Sequence, residues 1–251
     1  ADRLNRDARG PLRSLPALPQ EKSGRKNKAQ NEKSKTVPPV RFDPVSRNIE
    51  GWKVHVDPAL LKGNARSEEK RTLQMLANHL QRIKILVPTK PLKKLQTVEI
   101  WIEKEHPILK AMQYHPSKSW LTDHGHDPRL AKKVHITRAH QLLSRQQLLK
   151  HPAVILHELA HGFHDQILGF DDPRIEDAYE SAKKQGIYEQ VLLYTGRTVR
   201  HYGLSNAKEY FAEGTEAYFY RNDFYPFVRA ELKRHDPQFH DVLQEIWGPA
   251  K

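Results

Sequence analysis

His157-Glu158-Leu159-Ala160-His161 is the stretch on which the fold of this 251-residue chain turns. On a helix, residues four apart share a face, so the two imidazoles can meet one metal ion. Glu158 lies about 100° around the helix from His157, where it reaches a water on that ion as a general base. The flanks agree with a helix. Pro152 suits a first helical turn, Ala153, Val154, Ile155 and Leu156 build a buried approach, and the pattern runs on past Gly162 through Phe163, Ile167 and Leu168. Two unpaired imidazoles and a carboxylate inside so apolar a helix would cost on the order of several kcal/mol. A bound metal removes that conflict.

A catalytic zinc takes three protein ligands and keeps a fourth position open. The place to look for the third is Asn206-Ala-Lys-Glu-Tyr-Phe-Ala-Glu-Gly-Thr-Glu-Ala-Tyr-Phe-Tyr220. Asn206 reads as a helix N-cap. Glu209, Glu213 and Glu216 then fall on one face, among Tyr210, Phe211, Tyr218 and Phe219. Three carboxylates on one face of an aromatic-rich helix call for a cation; the plainer alternative is a solvated acidic face.

The segment Tyr202-Gly-Leu-Ser-Asn206-Ala-Lys-Glu209-Tyr-Phe-Ala-Glu213, 48 residues from His161 to Glu209, resembles the catalytic domain of anthrax lethal factor and related gluzincins. Secreted proline-specific endopeptidases share the same logic. The resemblance covers roughly residues 150–235, and the N-terminal half carries no motif of that family. It implies an α+β, zincin-like domain with a small mixed sheet, an HExxH helix and a second ligand-bearing helix. It implies one Zn2+ held by His157, His161 and Glu209, with Glu158 as general base and Tyr202 as oxyanion stabiliser. Glu213 is implied as a carboxylate that orients a ligand histidine, and Asp165, four residues after the second histidine, as a weaker candidate for the same role. Asp165 also reads as an ordinary helix ion-pair residue, and Glu216, which has no counterpart in the family, as surface-solvated. The implied reaction is hydrolysis of peptide bonds in a protein or peptide substrate, by a zinc-bound water. The donor set favours zinc over other divalent ions.

Outward from these motifs, residues 67–86 carry a helical period with Ser67 as N-cap, and Pro88 and Pro91 are expected to end it. Trp52–Val56, Thr97–Glu103 and Lys133–Thr137 read as strands. By analogy with zincins, Lys133–Thr137 is expected to be the sheet edge that pairs with extended substrate. Residues 114–128 form a long, aromatic and histidine-rich connection, in which His124 and His126 are weak candidates for a second metal site. Residues 229–246 resume a helical period.

Residues 1–47 hold 12 Lys or Arg against 5 Asp or Glu, most of the chain's net charge of +12. So polar a stretch cannot bury enough apolar surface to order itself, so residues 1–47 read as a basic, disordered tail before a domain at 48–251. The tail suits polyanion contact. It leaves open a nucleic-acid-associated metalloprotease like the SprT family, or a zinc-holding binding module without catalysis. Zero cysteines exclude disulfides and thiolate metal sites. No apolar run is long enough to span a membrane. The start at Ala1 and the likeness to secreted enzymes give the expectation of a secreted or cell-envelope protein.

Overall fold

A computed structural model describes residues 40–64 and 66–249. Along the chain lie β1 (Val45–Ile49), β2 (Trp52–Val56), α1 (Glu68–Leu86), α2 (Thr89–Leu95), β3 (Glu99–Ile102), β4 (Gln113–Tyr114), α3 (Lys118–Asp123) and β5 (Lys133–Ile136). After them come α4 (Arg145–Lys150), α5 (Val154–Phe163), α6 (Pro173–Gln185), β6 (Val191–Leu192), β7 (Thr198–Val199), α7 (Ala207–Phe219), α8 (Arg229–His235) and α9 (Pro237–Trp247). The architecture is α+β, with a small mixed sheet in the order β1-β2-β3-β5-β4. β2, β3 and β5 run parallel, while β1 and β4 pair antiparallel at the two edges. No helix among the described residues is long and apolar enough to cross a membrane.

The strand period of two sorts side chains between the sheet faces. Val54, Val56, Ile100, Ile102, Val134 and Ile136 enter the main core, which the sheet shares with α1, α5, α6, α7 and α9. Trp101 points to the other face and builds a small second core with Leu121 and Leu130. Two glycines set the close approaches of the main core. A Cβ on Gly162 of α5 would lie 2.4 Å from Val98 Cγ1, and one on Gly214 of α7 would lie 2.1 Å from Phe239 Cε1. Any side chain there overpacks a dense interior. The missing Cβ therefore brings the sheet onto α5 and α9 onto α7.

Several expectations need correction. The boundary of the basic segment does not fall after residue 47, because β1 starts at Val45, Phe42 packs on the second core and Arg41 pairs with Glu103. The expected disorder of residues 1–39 lies outside the described residues. β5 is not the sheet edge; buried on both faces, it lies between β3 and the short β4, which takes the edge instead. Pro91 does not stop a helix but sits in the first turn of α2, where a missing N–H leaves no bond unmade. The 229–246 period divides into α8 and α9, because Asp236 caps α9 from its own side chain and Pro237 opens it.

The histidine-rich connection starts at the end of β4 and contains α3. His124 stays exposed on Trp120, and neither it nor His126 joins a metal-binding group among the described residues. Beneath the connection runs a buried chain of hydrogen bonds. Glu103 Oε1 accepts from Trp101 Nε1 and from His135 Nε2, each at 3.1 Å, and His115 Nε2 meets His135 Nδ1 at 3.1 Å. With a carboxylate as the terminal acceptor, each ring donates from Nε2 towards it. Both imidazoles are therefore held neutral. Burial, and next Arg41, lowers the His135 pKa to about 3, and burial together with His135 puts His115 well below its ordinary value.

A histidine with a depressed folded-state pKa is protonated first in the unfolded chain. Its contribution is complete above about pH 6.5 and is lost as pH falls, by about 1.4 kcal/mol per pH unit for each ring. We expect urea denaturation at pH 7, 6 and 5 to show stability falling with acidity. His115→Gln, whose amide nitrogen takes the place of Nε2, should flatten that slope by about one proton's worth. An unchanged slope in the variant would contradict a neutral buried imidazole.

Candidate metal centre

All ten residues of α5 are buried, so its polar side chains must find partners inside the protein. α7 supplies them. Asn206 caps α7, its Oδ1 accepting from the N–H groups of Lys208 and Glu209 at 3.0 Å, and this cap sets the helix phase that aims Glu209 at α5. The structure brings His157, His161 and Glu209 together. His157 Nε2 and His161 Nε2 lie 3.1 Å apart, and Glu209 Oε2 lies 3.2 Å and 3.3 Å from them.

The triangle tests the fit of an ion. Tetrahedral ligands about 2.0–2.2 Å from a zinc-sized ion lie about 3.3–3.6 Å from one another, and these edges are only slightly shorter. The donors also agree. His157 donates from Nδ1 to Glu216, so its Nε2, facing a carboxylate and a second imidazole, either offers a lone pair to a cation or, without one, holds a proton against Glu209. Three buried groups that converge in this way cohere around a cation or around a shared proton. The cluster is positioned to hold a metal ion.

Electrostatics describe the same need. Burial disfavours a charged imidazole at His157, yet the hydrogen bonds to Glu209 and Glu216 outweigh it and raise the pKa well above the usual value. Burial raises that of Glu209, but His161 and His157 more than reverse it, and the carboxyl stays ionised. Burial pushes the Glu158 carboxyl up. Burial, then Glu209, pushes the Tyr202 phenol up, so it stays protonated at neutral pH. Tyr202 opens the 3-10 turn Tyr202–Ser205 directly before α7, within electrostatic reach of Glu209, His157 and Glu158.

Behind the triangle lies a second polar layer, which the sequence reading assigned differently. Glu216 is not solvated: it is fully buried, and its Oε1 accepts from His157 Nδ1 at 2.6 Å and from His151 Nε2 at 2.9 Å. Glu213 stands farther off, 3.7 Å from His157 Nδ1. Its pKa is raised strongly by burial, by Glu216 and by Asp223. Asp223, also missed, is raised to about 6 by burial, which together with Glu216 outweighs the opposing charge of His151. Glu216 is lowered to about 2, because His151 and His157 outweigh its burial. His151, His157, Glu213 and Glu216 also converge as donor atoms. A separation of 2.6 Å is a hydrogen bond, though, and too short for two ligands of one ion.

Asp165 does not reach a ligand histidine. Its Oδ2 accepts from the Tyr114 hydroxyl and from Lys132 Nζ, each at 2.6 Å, which ties the edge strand and its neighbour to the end of the helix. Tyr114 holds that helix at a second point, because its backbone N–H donates to Glu158 Oε2 at 2.8 Å. The sequence carried no sign of this bond, which depends on where a two-residue strand comes to lie.

A ligand that binds only the folded chain stabilises it, by about 2.7 kcal/mol at a hundred times its Kd. We expect a chelator to lower the thermal midpoint, divalent metal to restore it, and His161→Ala to remove the difference between the two states. Compared with known proteins, the chain matches no family model, no curated protein and no solved structure.

Proposed function

We propose that this chain is a zinc-dependent endopeptidase of the zincin kind. The observation that carries the reading is the buried triangle of His157, His161 and Glu209, with Glu158 between the two histidines on the same helix. His157, His161 and Glu209 would hold the zinc, which would supply a Lewis acid to polarise the scissile carbonyl and acidify the attacking water.

The chain's own groups account for the remaining steps. Glu158 takes the proton of the attacking water and passes it to the leaving nitrogen. The raised carboxyl pKa that burial gives it suits a group that must hold a proton between two transfers. The Tyr114 N–H fixes Glu158 Oε2, so Oε1 is the oxygen left for the water. Tyr202 keeps its phenol proton and donates to the carbonyl oxygen as negative charge develops there. β4 is the outer strand of the sheet beside α5, with the Tyr114 N–H already engaged by Glu158, and an extended peptide would lie along that strand.

The test is cleavage of a diverse peptide library by the zinc-loaded chain. We expect the wild type to cut and Glu158→Ala to bind zinc without cutting. Tyr202→Phe should lose about 10²–10³ in kcat, the cost of one oxyanion donor, with little change in KM. Zinc binding with no cleavage of any peptide by the wild type would reduce the reading to a metal-holding module.

A further inference from the structure

We propose that Glu216, braced by His151, is the positioning residue for the ligand His157, and that Glu213 is not. The inference rests on the metal centre proposed above and concerns how that centre is held.

Geometry separates the two carboxylates. Glu216 Oε1 is 2.6 Å from His157 Nδ1, a charge-assisted hydrogen bond, whereas Glu213 Oε1 at 3.7 Å is beyond hydrogen-bond range. Spacing along α7 explains the choice. Glu209 and Glu216 are seven residues apart, two turns of one helix face. His157 is bracketed between them, with Nε2 towards Glu209 and Nδ1 towards Glu216. One helix therefore delivers both the carboxylate beside the metal position and the carboxylate behind the ring.

The bond decides a tautomer. A neutral imidazole carries one proton, on either nitrogen. An acceptor at Nδ1 draws the proton there and leaves the Nε2 lone pair free for a metal. A proton on Nε2 would occupy the ligand position. His151 completes the device from the segment between α4 and α5. Its Nε2 donates to the same oxygen at 2.9 Å, and its ring meets that of His157 edge-on, with centroids 5.3 Å apart. Two donors on one buried oxygen fix the Glu216 rotamer, so the His157 ring has one orientation available.

The test compares Glu216→Gln with Glu213→Gln by competition for zinc against a chromophoric chelator, with urea denaturation of the metal-free chains as the fold control. We expect Glu216→Gln to lose about 10–100-fold in zinc affinity and Glu213→Gln to remain within about threefold of wild type. Imidazole nitrogen NMR on the metal-free chain gives a readout that needs neither zinc nor activity. The wild type should show a downfield His157 Nδ1–H proton, which moves upfield in Glu216→Gln and stays in Glu213→Gln. A wild-type affinity in Glu216→Gln, or an equal or larger loss in Glu213→Gln, overturns the proposal. So does a His157 Nδ1–H signal indifferent to Glu216. A wild-type chain that binds no zinc but shows the shifted proton overturns the metal reading and leaves the positioning bond standing.

Discussion

Three acceptors meeting in a buried space are the constraint that organises this protein. His157, His161 and Glu209 bring two lone pairs and a negative charge together where water is scarce. Left to themselves they repel or trap a proton; around a cation they cohere. The arrangement of α5 and α7 follows from that meeting. α7 must lie along α5 with Glu209 in its first turn, and the Asn206 cap fixes its phase. Phe211 stacks on Trp247 and Tyr210 on Phe239, so α9 covers the far side of α7 and keeps the pair of helices together.

The centre was legible from sequence because it depends on periodicity. Spacings of four along α5, and of four and seven along α7, put polar groups on one face whatever the tertiary detail. The direction of each group within that face was not legible. Glu213 and Glu216 share the face, and which of them reaches His157 Nδ1 depends on how the two helices are set along each other, a packing variable. From sequence Glu216 reads as solvated because it has no counterpart in the family that the chain resembles; here α5 and His151 cover it. Asp165 stood at the expected place in the sequence but turned to Tyr114 and Lys132, partners brought by a strand pairing that no local pattern encodes.

The sheet shows the same division. Alternation identified β2, β3 and β5 as strands to within two residues at each end, but their order is a long-range property. β5 has Val134 and Ile136 on one face and His135 on the other, all buried, which is the pattern of an inner strand. The edge went to β4, whose two residues are too few to show any period. The buried histidines behind the sheet follow from the same pairing. His115 and His135 come from antiparallel neighbours, and Glu103 continues the strand beside them, so a 3.1 Å chain forms across three segments distant in sequence.

Tyr114 is fastened to the helical segment twice, by its backbone to Glu158 and by its hydroxyl to Asp165. Two attachment points on one residue remove the freedom of the strand to slide or tilt against the helix. The position of β4 and that of the Glu158 carboxylate are thereby a single mechanical coordinate. Any force that spread the strand would drag Glu158 with it. The carboxylate's aim is thus set from a strand 44 residues earlier in the chain.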